Sequence, residues 1–352
     1  IYTSGATNGN DTLTGTSGAD DIVAANGRDT VRAGQGDDII IGGAGSDTLG
    51  GGEGNDTIWG GRGDDTQVQG ADADRVDGGA GNDAIYGEVG NDVLIGGTGF
   101  DKLYGGGGDD RLLPGAEGGM VDGGGGVDTL VIDLRGSTVR VTHAYYGYDG
   151  TYTLSNGEEI RVFNVEKLVA NGGAGDDYFY TPDGGSTVDG GAGNDTINGW
   201  GNGADLLVGG AGNDFIWVGY DDDAQGGDGD DALWGMTEST GSSLTGGAGA
   251  DKFAFQNASA RSPDNLATRI VDFHHAEGDR IDLSSIDPDS ATQGDQALTF
   301  IGSAAFTAAG QVRVAQTEGT TLVYVEVTGD GKSDLTIPLD GLVTLVAADF
   351  VL

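Results

Sequence analysis

The sequence contains no cysteine, so no disulfide framework can brace it, and outside a cell some other cross-link must take that role. Bound metal is the natural substitute. Proline is scarce, 5 residues against 72 glycines, and there is no Gly-X-Y period, which excludes collagen. Basic residues are few, 16 against 57 acidic ones, giving a formal net charge of −41. That sign excludes recognition of nucleic acid or an anionic membrane through a basic patch. No apolar run reaches membrane-spanning length. The N-terminus shows no basic and apolar regions of a general-pathway signal peptide. It begins at Ile1 rather than Met, which is consistent with removal of an upstream segment. Acidity of this degree leaves two outcomes: disorder, because self-repulsion opposes compaction, or a fold that cations complete.

What the sequence does have decides between them. Asp11, Asp20, Asp29, Asp38, Asp47, Asp56, Asp65, Asp74, Asp83, Asp92, Asp101 and Asp110 follow one another at intervals of nine; the next step falls on Gly119 and the one after on Asp128. Two positions after each stands Leu13, Ile22, Val31, Ile40, Leu49, Ile58, Gln67, Val76, Ile85, Leu94, Leu103, Leu112, Val121 or Leu130, with Gln67 the one polar member. The clearest units read GGAGSDTLG (42–50), GGEGNDTIW (51–59) and GGAGNDAIY (78–86). Each unit therefore predicts a six-residue turn and a three-residue strand with one inward side chain. Such a strand buries too little alone, but stacking makes a continuous apolar ladder.

This pattern, GGxGxDxUx, resembles the RTX repeat over about residues 7–131 and 171–254. The resemblance implies an all-β, right-handed parallel β-roll in which two units form one 18-residue coil and Ca2+ sits between turns of adjacent coils. The chemistry agrees independently. Calcium takes six to eight oxygens. The aspartates supply carboxylates, and glycines adopt positive φ and aim main-chain carbonyls inward. The expected metal ligands are the aspartates named above with Gly43, Gly45, Gly52, Gly54, Gly61, Gly63, Gly79, Gly81, Gly97, Gly99, Gly106 and Gly108. Aspartates 18 apart give 11 candidate sites in the first array, and both arrays together should hold on the order of 10–15 ions. Early turns carrying Thr7 or Ala25 at the second glycine position should bind more weakly. Gly119, behind Pro114, should end one column of sites, and Gln67 should need main-chain or water partners inside the roll.

The register stops near Val131. Residues 132–170 read as a β-hairpin insertion, with strand-like runs TVRVT (138–142) and GTYTL (150–154) and the turn signal Asn156-Gly157. Tyr145, Tyr146 and Tyr148 cluster within it, either to pack on the neighbouring sheet or to stack on a sugar or a partner. A second, irregular array spans 171–254, with Asp177, Asp195, Asp205, Asp214, Asp231 and Asp251 and the glycines Gly173, Gly175, Gly191 and Gly193 as expected ligands. After Asp195 the intervals become 10, 9, 17 and 20, and Ser186 stands where aspartate belongs; these slips predict bulged turns and weaker or missing sites.

From Phe255 glycine falls away and ordinary strand patterns appear, predicting a β-rich, sandwich-like capping domain over 255–352. The segment IVDFHHAEGDRIDLSSID (270–287) resembles the C-terminal domain of serralysin-type proteins, and Asp349-Phe350-Val351-Leu352 resembles that family's type I secretion signal. The resemblance implies export by type I secretion machinery and a secreted, extracellular or cell-surface location in a bacterium. With three histidines (His143, His274, His275) and no H-E-x-x-H, the serralysin zinc-protease domain is absent from this chain, and no cysteine or Gly-x-Ser-x-Gly nucleophile appears. The GxGxxG matches reflect composition, and the loop after Glu326 departs from an EF-hand at Ile337. The leading expectation is a secreted calcium-binding structural or matrix protein. The alternatives are a module of a secreted hydrolase or polysaccharide-acting enzyme, and a surface adhesin with a polysaccharide or cell-surface partner. The outward column Arg32, Trp59, Tyr86, Tyr104, Asp122 is too irregular for ice binding.

Overall fold

The nine-residue spacing of the apolar residues, doubled, sets the architecture. A computed structural model describes residues 2–3, 6–138, 140–146, 149–236, 241–256, 268–288 and 296–352. It divides into two units, Ile1–Asn171 and Gly172–Leu352. Both are parallel β-rolls.

In the first unit, residues 18 apart pair in parallel. One ladder runs Leu49, Gln67, Ile85, Leu103 and Val121. The opposite sheet aligns Ile22, Ile40, Ile58, Val76, Leu94, Leu112 and Leu130. All of these are buried. The strands are six residues long rather than three: Ile39–Ala44, for example, continues pairing through its glycines, Gly43 with Gly61 and Ala44 with Arg62. The cause is stacking at a constant offset, which gives glycine amides and carbonyls a partner in the next coil. A second inward position follows two residues after the apolar one, occupied by Ala24, Ala33, Gly42, Gly60 or Gly78.

The insertion is a pair of antiparallel connections. Val141–Tyr146 pairs with Asp149–Leu154, which pairs with Glu159–Phe163 around Asn156-Gly157, where Gly157 takes φ +92°. In the expected run 138–142, Val141 and Thr142 are strand and Val139 lies outside the described residues. Side chains of 143–149, including Tyr145 and Tyr146, and all of Tyr148 lie outside the described residues. Glu159–Phe163 then pairs in parallel with Gly119–Gly125, so the chain rejoins the roll in phase.

In the second unit, Phe179, Ile197, Ile216, Leu233, Phe253 and Ile281 align in one sheet, and Val188, Leu207, Ala224, Leu244 and Ile270 in the other. The composition change at Phe255 does not interrupt pairing: Lys252–Phe255 pairs with Arg280–Asp282, and Ile281 pairs with Phe350. Gln311–Thr317, Thr320–Glu326 and Leu335–Asp340 form an antiparallel sheet joined to the roll at Ile270–Leu339. Phe215, Trp217 and Trp234 share one outer face, with Trp200 beside Trp217 at 6.1 Å.

Candidate metal centre

The turns between strands stack into columns of carboxylates. In the first unit one column holds Asp11, Asp29, Asp47, Asp65, Asp83 and Asp101. The other holds Asp20, Asp38, Asp56, Asp74, Asp92, Asp110 and Asp128. Along each, the main-chain amide of one aspartate donates to Oδ1 of the aspartate one coil later, at 2.6–2.9 Å. Where the residue just before an aspartate is Asn or Asp, it builds a second ladder in the opposite sense. There Oδ1 of Asn55, Asp64, Asn82 or Asn91 accepts the amide one coil later, a regularity the sequence carried at a position treated as variable.

One ladder bond uses Oδ1 and leaves Oδ2. Oδ2 of Asp29, Asp38, Asp47, Asp56, Asp65, Asp74, Asp83, Asp92, Asp101, Asp110 and Asp128 is buried without a hydrogen-bond partner, and so are those of Asp195, Asp214, Asp231 and Asp251. Most of them face a space that only the first glycine of their turn leaves open; Ala24, Ala33 and Gln69 stand at that position before Asp29, Asp38 and Asp74. A Cβ built on Gly42 would lie 2.7 Å from Asp47 Oδ2 and 2.5 Å from the carbonyl oxygen of Gly60. One on Gly78 would lie 2.5 Å from Asp83 Oδ2 and 2.6 Å from the Gly96 carbonyl oxygen. The first glycine of each turn thus brings a carbonyl to the carboxylate, which sequence reasoning, directed at the second and third glycines, missed. Those later glycines, except Gly173 and Gly175, adopt positive φ. A Cβ on Gly45 or Gly63 would strike the carbonyl oxygen 18 residues earlier.

Acceptors therefore face acceptors with no donor between them, an arrangement that costs energy unless a cation intervenes. Burial pushes the carboxyls of Asp56, Asp65, Asp92, Asp101, Asp110, Asp128 and Asp251 up to about 6. It pushes Asp74, Asp83, Asp195 and Asp231 up to about 7. Neighbouring aspartates in the same column add to the effect at Asp56, Asp74 and Asp83. The residues fit a hard divalent cation that takes carboxylate and carbonyl oxygen together. Among the described residues no three His, Cys, Asp or Glu side chains converge, so main-chain oxygens must make up the shell.

Some turns do not fit. Thr7 and Thr16 replace the second glycine, and each gives both its amide and its hydroxyl to Oδ2 of its own aspartate, Asp11 or Asp20. The Thr16 bonds hold Asp20 below the usual carboxylate range. Gly119 pairs with Asp101 and offers no side chain. The second column of the first unit ends on Glu166, whose Oε2 accepts the Asp128 amide at 2.9 Å across 38 residues.

In the second unit the irregular spacing resolves into two columns. Asp177, Asp195, Asp214, Asp231, Asp251 and Asp279 form one; Ser186, Asp205, Asp222 and Ser242 form the other. Asp205 therefore does not belong with the aspartates that flank it in sequence. Both columns step by 19, 17 and 20 residues, so the coils change length and the strands stay paired. Asp222 and Asp279 are buried members that sequence reasoning missed, and Asp272 closes the last glycine turn by accepting the amides of Gly246 and Gly247. In the second column the carboxylates are already satisfied. Asp205 Oδ2 accepts the Thr181 hydroxyl at 2.6 Å, and Asp222 Oδ2 accepts the Gly219 amide at 2.6 Å. These residues do not fit a metal ion.

The family comparison agrees with this geometry. A sequence model of the RTX calcium-binding nonapeptide repeat (4 copies) matches residues 6–40, 32–67, 70–94, 86–117, 171–201, 183–216 and 201–224. The chain is an RTX-repeat protein. RTX nonapeptide repeats bind Ca2+. No curated protein sequence matches this RTX chain. Among 36 matching chains of solved structure is a subunit of the Azotobacter vinelandii mannuronan C5-epimerase. It is 26% identical over 50% of this chain and 78% of its own length, with a TM-score of 0.22. The extracellular lipase LipA of Serratia marcescens is 16% identical, with a TM-score of 0.20; the match covers 85% of the RTX chain and 40% of the lipase.

Proposed function

We propose that this RTX chain leaves a bacterial cell with little fixed structure, through type I secretion machinery, and folds outside as calcium fills the aspartate columns. The carrying observation is the series of buried Oδ2 atoms that face main-chain carbonyls with no donor between them. Without ions the folded chain would hold these carboxylates against a formal charge of −41. Glycine-rich turns also lose much conformational freedom on ordering. Ion binding and folding are then one event, cooperative along each column because neighbouring sites share a turn. Low cytoplasmic calcium keeps the chain loose enough for a channel. The last strand, Phe350–Val351, is packed in the folded form, with Phe350 stacked on Phe300 at 4.9 Å. Any signal it carries is therefore read before folding. The folded roll serves a structural or interaction role, and the outer face of Trp200, Phe215, Trp217 and Trp234 is its candidate contact surface.

Circular dichroism of the full chain tests the coupling. In chelator the β signal should be largely lost, and millimolar calcium should restore it. A complete β spectrum in chelator, unchanged by calcium, refutes the coupling and the export argument built on it.

A further inference from the structure

One coil of the first unit breaks the pattern at an informative place. Its turn reads Gln69-Gly70-Ala71-Asp72-Ala73-Asp74, so glutamine stands where most turns have their first glycine and some have alanine, as at Ala24 and Ala33. That position faces inward: a Cβ at the first glycine of a turn, such as Gly51 or Gly78, would lie against the carboxylate of its own turn, and Gln69 Oε1 reaches on towards that of Asp56, one coil earlier. Gln69 is only 6% exposed, and neither atom of its amide has a hydrogen-bond partner. A buried amide with both ends unsatisfied is costly unless something meets it.

The surroundings show what is missing. A Cβ built on Gly51, one coil earlier, would collide with Asp56 Oδ2 and lie 2.9 Å from Gln69 Oε1. At the equivalent points beside Asp47 and Asp83 the second oxygen is a main-chain carbonyl, that of Gly60 or Gly96. Beside Asp56 a side-chain carbonyl takes its place. Asp56 Oδ2 has no partner either. Two acceptors thus border one buried space with no donor between them, and an amide carbonyl is an ordinary oxygen donor to calcium.

We propose that Gln69 is a calcium ligand, its Oε1 completing the oxygen shell of the site between the turns of Asp56 and Asp74. The assignment rests on the calcium reading of the columns. It makes this turn a functional variant of the repeat rather than a decayed one. The neutral carbonyl of the main chain is exchanged for a neutral carbonyl on a side chain, and the charge of the site is unchanged. The competing arrangement turns the amide over, so that Nε2 donates to Asp56 and replaces the ion.

Native mass spectrometry of the full chain in calcium separates these. Gln69→Leu, similar in size but without the oxygen, should carry one ion fewer than the unaltered protein, and Gln69→Glu should keep the full number. An unchanged ion count in Gln69→Leu overturns the assignment. A crystal structure of the calcium-loaded, unaltered chain tests it without any substitution. An ion about 2.3–2.6 Å from Gln69 Oε1 supports the assignment, and Nε2 donating to Asp56 with no ion present overturns it. Ions elsewhere in the columns with none at Gln69 defeat this inference alone. A chain with no bound ions in saturating calcium defeats the calcium reading as a whole.

Discussion

The two edges of the second unit are built from one stretch of chain, on one set of coils, and solve the same electrostatic problem in opposite ways. On one edge Asp195, Asp214, Asp231 and Asp251 present bare Oδ2 atoms to glycine carbonyls. On the other, Asp205 and Asp222 are closed by Thr181 and Gly219, and Ser186 and Ser242 stand where aspartates would be. From Asp177 to Asp251 every change in coil length falls in the second edge's turns, between Asp195 and Asp205, Asp214 and Asp222, and Asp231 and Ser242. The first edge keeps five turns with the glycine pattern, from GGAGDD (172–177) to GGAGAD (246–251). An edge that closes on its own donors tolerates turns of varying length. An edge that needs carbonyls aimed at a shared ion does not.

The sharpest break of this comparison is a matched pair of substitutions. Asp214→Asn keeps the Oδ1 acceptor for Asp195 but removes the charge, so the chain should lose at least one bound ion and melt lower in calcium. Asp205→Asn should leave the ion count unchanged and cost only about 1–2 kcal/mol, from weakened bonds to Thr181 and Ser186. Native mass spectrometry and thermal melts read both. Ion loss from Asp205→Asn would erase the distinction between the edges.

Protons offer a second way to sharpen it, because a proton is the other way to quiet a bare carboxylate. In the calcium-free roll these carboxyls sit near 6–7 against 3.8 unfolded. The folded form therefore binds more protons across that interval, and its stability falls as pH rises. The contribution is full below about pH 4 and gone once pH passes the folded values. The chelated chain should accordingly show more β signal at pH 5 than at pH 7.5, and calcium affinity should weaken on acidification as protons compete. More structure at pH 7.5 than at pH 5 in chelator would contradict the electrostatic account.

Much of the roll was legible in the sequence, because the aspartate phase and the apolar phase repeat together without a slip from Asp11 to Asp110. What stayed hidden has physical reasons. Asp222 lies inside the run Asp221-Asp222-Asp223, where no single phase stands out, and a series followed one residue at a time merges two edges into one. Glu166 and Asp279 return to their columns after 38 and 28 residues, so only three-dimensional pairing reveals them. Gln69 was invisible because nothing in sequence says that an inward amide reaches the carboxylate one coil away.

The smallest expected effect concerns the other inward amide of that coil. Gln67 is fully buried; its Nε2 reaches the Asp77 carbonyl oxygen at 3.4 Å and its Oε1 has no partner. Gln67→Leu completes the apolar ladder and should stabilise the calcium-saturated roll by about 1 kcal/mol. A lower melting temperature would show that this amide, like Gln69, has a polar task.

The Glu166 contact also says something about how such a chain can grow. Between Asp128 and Glu166 the chain leaves the roll, builds antiparallel strands of its own, and returns a carboxylate to the place where the ladder wants one. Glutamate's extra methylene gives the returning backbone some latitude in where it lands. The roll therefore keeps count by contacts, not by residues, and whatever is spliced into the excursion is neutral to its phase so long as both ends dock. That makes the hairpin a natural port for foreign sequence, whose size is limited by its own folding and not by the scaffold that carries it.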